Sequence, residues 1–334
     1  MPKRIKDTDY LVISARIKAM ETGLLTADRM EQLLAAHSDE EVSRILQECG
    51  YPAFSAGNQS EMDAALSAAR EEILTDLGDS APDPRYLDVF KLKYDYHNAK
   101  AILKAQAMGT EPDSMLMDMG RVPAGELKEA IREGDDAELP SLLAEAITEA
   151  KEVLETTRDP QLSDMVLDRW LYRDEMAVAE ATGSSFLRGY VQSQIDAANL
   201  RALVRTLRMG KNADFLKGVL FTGGKIPEDA VLSVAEANGS GMTELYGSTD
   251  LCAAAEAGAE ALSGGPLTEF EKLCDDAVSE YLAGAQMVPF GEAPLVGYLA
   301  ARETEYTNLR ILLMGRKAGL APEVIRARLR QNYV

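Results

Sequence analysis

Two glycines followed by a lysine, Gly223-Gly224-Lys225, are the first residues of this sequence whose types could do chemistry, because such loops bind phosphate. The phosphate-loop motif needs a glycine five residues before Gly224 and a serine or threonine after the lysine. The sequence has Val219 and Ile226 at these positions. The match therefore fails, and the two glycines predict a tight turn instead.

Other catalytic patterns fail in the same way. His37 and His97 are the only histidines, and neither stands at metal-ligand spacing from a cysteine or carboxylate. Gly239-Ser240-Gly241 lacks the Gly-x-Ser-x-Gly pattern of a hydrolase nucleophile and predicts a loop. With 55 acidic residues, no single pair stands out as an acid–base couple. We therefore predict no catalytic residue, metal or cofactor, although an enzyme with an unrecognised helical site stays an alternative.

An internal repeat is the most informative feature of the sequence. An acid, an asparagine three residues later, a base two residues after that and a following aliphatic pair occur three times, roughly 100 residues apart. A glycine follows each asparagine after eleven positions and is expected to end a helix. The acid and asparagine of the three copies are Asp95 and Asn98, Asp196 and Asn199, and Glu305 and Asn308.

A second short element accompanies these helices. A Gly-x-x-Pro sequence, in which the chain turns at glycine and a helix starts near proline, occurs at 120–123, 224–227 and 319–322. Residues 23–26, Gly-Leu-Leu-Thr, are interpreted as a degraded copy. Two linked motifs in the same order predict three helical repeats, with boundaries at 1–112, 113–213 and 214–334.

Helical geometry predicts where the acid and the asparagine point. Residues three apart share a helix face, and apolar residues one and four positions after the asparagine flank that face. The six polar side chains are thus expected to be buried and hydrogen-bonded, as fasteners between helices and loops. A direct functional role for them is the alternative.

The positions two, six and nine residues after each asparagine form a stripe turned about 200° from it, and all of these residues are basic except Ala107 and Met314. A solvated face is one interpretation, and a surface for an acidic partner is the other. The candidate partner-binding residues are Lys100, Lys104, Arg201, Arg205, Arg208, Arg310 and Lys317.

The elements that must position these residues are predicted to be helices. Aromatic residues make up 6% of the 334 residues, and no alternating run typical of a strand occurs, so an all-α fold is expected. Residues 141–157 show helical periodicity, and a further helix is predicted from Ser60 to Leu77. The sequences at 38–41 and 268–271 match capping boxes, which predict the starts of two more helices. The three motif helices are expected near 86–108, 184–209 and 294–317.

The charge of the chain limits its partners. A net charge of −20 argues against nucleic-acid binding and against adsorption to anionic lipid. No apolar run is long enough to predict a membrane span, and the first residues do not match a signal peptide. Three scattered cysteines favour a reducing cytoplasm.

The repeated helices and the segment from Glu303 to Val334 resemble the C subunit of prokaryotic V-type (A-type) ATP synthases, which is related to the d subunit of the vacuolar ATPase. Residues 10–20 and 289–298 are also similar to that family. The resemblance covers the whole chain, but it is vague over 110–160 and 235–268. Met314 stands where the other copies have a base, and Ala318 where they have methionine.

This resemblance implies three pseudo-symmetric helical repeats in a funnel-shaped body. It implies a non-catalytic central-stalk subunit that links the rotor shaft to the membrane proteolipid ring and passes torque during ATP-coupled ion transport. Shaft subunits and the ring would be its partners, and it would lie peripherally on the cytoplasmic face of the membrane. The alternative is a cytosolic helical-repeat adaptor unrelated to ATPases.

Overall fold

The chain is helical throughout the part described by the computed structural model, which covers residues 5–52, 54, 58–135, 137–331 and 333. No strand occurs among these residues, so the predicted all-α class is confirmed. The α-helices, in chain order, are α1 Leu11–Glu21, α2 Ala27–Ala35, α3 Asp39–Glu48, α4 Gln59–Ser80, α5 Arg85–Met108, α6 Ala124–Glu133, α7 Ser141–Thr157, α8 Pro160–Thr182, α9 Ser185–Arg208, α10 Ala213–Lys217, α11 Glu228–Glu236, α12 Met242–Tyr246, α13 Cys252–Leu262, α14 Leu267–Ala283, α15 Glu292–Lys317 and α16 Pro322–Arg326. Short 3-10 helices cover Asp7–Tyr10, Asp113–Met115 and Gly284–Met287.

Most predicted helix positions are correct, and two predicted ends are not. α5, α9 and α15 are the motif helices, within two residues of the expected bounds, and α7 has the predicted bounds. α4 begins after Asn58, whose side chain accepts the N–H groups of Ser60 and Glu61, and it runs past Gly78. α14 begins at Leu267, after Pro266, so Thr268 lies inside the helix and does not cap it.

Two compact units divide the described chain, and each is discontinuous in sequence. Unit 1 comprises Met1–Pro84, Leu203–Lys211 and Ser233–Val334, and unit 2 comprises Arg85–Ala202 and Asn212–Leu232. α5 therefore belongs to unit 2 and α15 to unit 1, whereas α9 contributes to both.

The core of unit 1 packs helices from the beginning and the end of the sequence against each other. Leu33, Leu46 and Met62, from α2, α3 and α4, form one apolar cluster with Leu309 and Leu312 of α15. All five side chains are almost fully buried. Burial of a side chain of this size stabilises the fold by about 1.5–3 kcal/mol, so this cluster firmly joins the N-terminal helices to α15.

The core of unit 2 lies between α5, α6, α7 and α8. The predicted apolar face of α7 contributes Leu143, Ala146, Ile147 and Ala150, all of which are buried. Trp170 of α8 packs in the same cluster and donates its indole N–H to Glu149 Oε2 at 2.6 Å. The indole is thereby buried without losing its polar partner.

The three motif helices end in the same way. Gly109, Gly210 and Gly319 follow the helix ends with φ of +66°, +66° and +68°, the left-handed conformation that glycine adopts without strain. The residue after each glycine donates its N–H to the carbonyl five positions earlier, at 2.9, 3.0 and 3.0 Å. These glycines are therefore the C-caps that the sequence predicts.

None of the helices in the described ranges is long and apolar enough to cross a membrane.

Candidate functional site

The repeated acid and asparagine are buried in all three motif helices. Their exposed fractions lie between 0% and 5%, although each is polar or charged. Buried polar groups need hydrogen-bond partners, and the recurring partners of these side chains define the candidate site. We call each set of acid, asparagine and bound backbone a clamp.

Each asparagine binds the backbone of a single residue through two hydrogen bonds. Its Nδ2 donates to the carbonyl of that residue, and its Oδ1 accepts the N–H of the same residue, at distances of 2.7–3.0 Å. The side-chain amide thus replaces a backbone partner for a segment that is neither helix nor strand. The bound residues are Met117 for Asn98, Phe221 for Asn199 and Arg330 for Asn308.

The aspartates of the first two clamps bind the loop that follows. Asp95 accepts the N–H groups of Arg121 and Val122 at 3.2 and 3.1 Å. Asp196 accepts those of Lys225 and Ile226, both at 3.1 Å. Each carboxylate therefore satisfies two N–H groups just before α6 or α11.

The glycine of the Gly-x-x-Pro sequence makes this approach possible. A Cβ atom at Gly120 would lie 2.0 Å from Asp95 Oδ1, and one at Gly224 would lie 2.1 Å from Asp196 Oδ1. Both distances are far below a van der Waals contact. The carboxylate thus occupies the space that any other side chain would need, which explains why these positions are glycine.

In the third clamp the acid binds residues from the N-terminal part of the chain. Glu305 accepts the N–H of Leu25 at 2.5 Å and the hydroxyl of Tyr51. The loop that binds the acid is therefore 23–26, which the sequence presents as a degraded copy. Gly319 is instead the C-cap of α15, equivalent to Gly109 and Gly210. The predicted turn at Gly319 and the predicted helix start at Pro322 are therefore confirmed, but this sequence does not supply the loop that binds the acid.

Thr26 takes the place of proline in this loop. Its hydroxyl accepts the N–H of Arg29 at 3.3 Å and caps the start of α2. In addition, the Arg302 guanidinium lies 5.3 Å from the ring centroid of Tyr51 and 5.1 Å from that of Tyr306. Burial, together with the Glu305 carboxylate, raises the pKa of Tyr51, so its hydroxyl stays protonated as a donor.

A buried ion-pair network surrounds the first clamp. Arg121 reaches Asp95 at 3.2 Å and Asp174 of α8 at 2.7 Å, and Tyr96 donates to Asp174 at 3.3 Å. Burial raises the pKa of Asp95, against the opposing effects of the Val122 N–H and the Arg121 guanidinium. Burial likewise raises the pKa of Asp196, whose loop supplies N–H groups at Ile226 and Lys225.

Glu175, next to Asp174, is also buried, but one of its carboxylate oxygens lacks the hydrogen bonds that Asp95 and Asp196 accept. Its Oε2 has no hydrogen-bond partner among the described residues. Burial raises its pKa to about 8, with Lys93 opposing the shift and Asp174 adding to it. The side chain is therefore mostly protonated at neutral pH, which avoids an unpaired charge in the core of unit 2.

The basic stripes contact the chain itself. In the first copy, Lys100 forms an ion pair with Asp168, and Lys104 forms one with Asp164 at 2.5 Å, so both face α8. In the second copy Arg205 reaches Glu271 at 2.6 Å, and Arg208 donates to the Gly265 carbonyl at 2.9 Å. In the third, Arg310 is 3.8 Å from Asp63 and Lys317 is 3.4 Å from Gln59. Arg201 is half-buried and also has an interaction partner.

No group of three or more metal-ligating side chains occurs in the described part of the chain, and His97 contacts the Met115 carbonyl at 3.0 Å. The clamps instead fix loops and neighbouring helices to the motif helices. They also depend on Arg121, Asp174 and Tyr51, which the sequence analysis missed. For Arg121, the available signal in the sequence was its position directly after Gly120, the glycine of the loop that binds Asp95.

Comparison with known proteins shows the family of the chain. The family model of the ATP synthase (C/AC39) subunit matches residues 13–328. The C subunit of the Enterococcus hirae V-type sodium ATPase is 29% identical over 97% of this chain and 99% of that protein. The A-type ATP synthase C subunit of Methanocaldococcus jannaschii is 25% identical over 95% and 85%, and the V-type ATP synthase C subunit of Thermus thermophilus is 26% identical over 91% and 93%. The chain belongs to the ATP synthase (C/AC39) subunit family.

Replacing the loop glycine of the first clamp should destabilise unit 2. Gly120→Ala places a methyl group where Asp95 Oδ1 lies, so the carboxylate must move away from the Arg121 and Val122 N–H groups. We expect the free energy of unfolding to fall by about 1–3 kcal/mol, measured by urea titration with circular dichroism. Gly125→Ala, in α6 with nothing within 4 Å, is the matched control and should raise it by about 0.5–1 kcal/mol. Equal stability of the two variants would contradict the role given to Gly120.

Glu175 should make stability depend on pH. Because its pKa is raised from 4.5 to about 8 on folding, the unfolded chain loses this proton at lower pH than the folded chain. The free energy of unfolding should therefore fall between about pH 4.5 and 8, by at most about 1.4 kcal/mol per pH unit. Glu175→Gln should remove this component, whereas Glu180→Gln, an exposed position of α8, should keep it. Urea midpoints at pH 5, 6.5, 8 and 9 measure the difference. If stability depended on pH equally in the wild type, Glu175→Gln and Glu180→Gln, the prediction would be refuted.

Proposed function

We propose that the chain is the non-catalytic central-stalk subunit of a rotary V-type or A-type ATPase. In this role it links the rotor shaft to the membrane proteolipid ring and passes torque during ATP-coupled ion transport. It is peripheral, on the cytoplasmic face of the membrane, and binds no nucleic acid and no cofactor. Three pseudo-symmetric repeats in a funnel-shaped body, with boundaries at 1–112, 113–213 and 214–334, belong to the same proposal.

Family membership carries this proposal. The relatives from three organisms are named as C subunits of V-type or A-type complexes, and the matches cover nearly the whole chain. A subunit that passes torque must resist shear between its helices, and the clamps supply buried, directional hydrogen bonds at each motif helix. The adaptor unrelated to ATPases loses its support once the family is established.

The exposed members of the basic stripes are the proposed contacts for an acidic shaft. Arg205 is half exposed although it pairs with Glu271, and Arg310 is more than half exposed beside Asp63. Ion pairs at such exposure contribute little to stability, so the cost of exchanging them for a partner's carboxylate is small. Lys100 and Lys104 pair more closely with α8 and are the weaker candidates.

The proposed function predicts two separate associations. The purified chain should bind shaft subunits in solution and the detergent-solubilised proteolipid ring, each measured by pull-down. In cells it should sediment with membranes and be released by washes that remove soluble stalk subunits. Binding to neither partner would overturn the proposal. Binding to the shaft alone would remove the link to the ring.

Charge reversal tests the stripe of α9. Arg205→Glu should weaken shaft binding at low ionic strength and much less at high salt, because screening at 0.1 M acts over about 10 Å. Arg188→Glu makes the same charge change at an exposed position of α9, turned about 140° from Arg201, and should leave binding unchanged. Surface plasmon resonance at 50 and 300 mM salt measures both. Equal effects of the two reversals would show that net charge, and not the stripe, matters.

A further inference from the structure

Arg330, Gln331 and Tyr333 bind side chains of unit 1 through their backbone, and we call the surface that they cover the groove. Asn308 binds both backbone groups of Arg330, as the other two asparagines bind Met117 and Phe221. The next residue, Gln331, donates its N–H to Asp276 Oδ1 at 2.6 Å. Gln286 donates to the carbonyl of Tyr333. Backbone groups of three residues are therefore bound by side chains of α14, α15 and the 3-10 helix Gly284–Met287.

Side-chain pockets at both ends of the groove add specificity. The Arg330 guanidinium pairs with Asp275 and is mostly buried. At the other end, a Cβ atom at Gly297 would lie 2.6 Å from the Cβ of Ala285 and 2.9 Å from the hydroxyl of Tyr333, so glycine leaves room for both side chains. Burial, together with Glu21 beside it, raises the pKa of that hydroxyl. The groove thus fits an arginine followed three positions later by a tyrosine.

We propose that this groove is a binding site for peptide segments of the type Arg-x-x-Tyr, occupied by the chain's own Arg330, Gln331 and Tyr333 as an exchangeable strap. Backbone pairing gives the strap affinity, and the arginine and tyrosine pockets give it selectivity, as in other sites for extended peptides. The acids Asp275, Asp276 and Glu21 complement a segment that contains Arg328 and Arg330, whereas Arg326 pairs with Glu31 of α2 at 2.7 Å. Lys272 and Lys18 pair with Asp276 and Glu21 at 3.5 and 2.9 Å and moderate this attraction.

Comparison of the three clamps explains why this segment can detach. In the first clamp, Met117 precedes Gly120 by three residues, so one short loop binds both the asparagine and the acid. The second clamp has the same spacing between Phe221 and Gly224. In the third, Arg330 binds Asn308 while Leu25, far away in sequence, binds Glu305. The contacts of the strap can therefore break without breaking those of the acid.

A labelled peptide of residues 327–334, added to the full-length protein, tests the proposal by fluorescence anisotropy. The strap competes with the peptide at a high effective concentration, so the wild-type protein should bind it weakly. The Arg330→Ala, Tyr333→Ala double variant weakens the strap and leaves the groove intact, so the peptide should bind at least about tenfold more tightly. Adding Asp275→Ala, or using a peptide with alanine at position 330, should reverse most of this gain.

Circular dichroism must first show that the double variant is folded, so that a change in peptide affinity reports on the groove. No gain in peptide affinity over wild type, or a gain unaffected by Asp275→Ala, would overturn the proposal. A measurement on the wild-type protein avoids dependence on any variant. Hydrogen exchange of the Arg330 and Gln331 amides should be faster than that of the Met117 and Phe221 amides, and equal protection of all four would equally overturn it.

Discussion

The fold depends on one interaction, which is a buried carboxylate and a buried amide on a helix that bind the backbone of a loop. Irregular segments carry N–H and C=O groups that helices cannot satisfy, and burying them unpaired costs about 1–3 kcal/mol each. Asp95 and Asn98 satisfy four such groups within one short stretch, from Met117 to Val122. The helix α5 can therefore be covered by loop as well as by helix, and the same holds for α9.

The third clamp shows that the same interaction can form with partners that are not continuous in the chain. Glu305 and Asn308 have the same spacing as the aspartate–asparagine pairs, yet their partners come from opposite ends of the sequence, at Leu25 and Arg330. A glutamate, one methylene longer than aspartate, also reaches the hydroxyl of Tyr51. The N-terminal helices are consequently joined to α15 by polar contacts as well as by the apolar cluster around Leu309.

The sequence predicted the local parts of this arrangement and missed the distant ones. Spacing within one helix, where the geometry is fixed, is enough to predict the positions of α5, α9 and α15 and their C-cap glycines. It also predicts the buried face that contains Asn98. The binding loop of Glu305 does not follow, because a contact across 280 residues leaves no periodic signal. The ion pairs of Lys100 and Lys104 could have been predicted from the sequence. Asp164 and Asp168 are also four residues apart, which matches the spacing of the two lysines on a facing helix.

The amino-acid composition gives the net charge of the chain but not the places in the fold where the charged side chains lie. The net charge of −20 is a sum over the whole chain, and it does not show that the network around Arg121 places two carboxylates, Asp95 and Asp174, in the interior of unit 2. Removing one member of such a network would strand the others, so the cost of change is high and the arrangement is held in one geometry. Exposed pairs such as Arg205 and Glu271 are held far less strongly. The protein therefore combines interior charges that hold its helices in one geometry with surface ion pairs that contribute little to stability, and the proposed force-transmitting role would need this division.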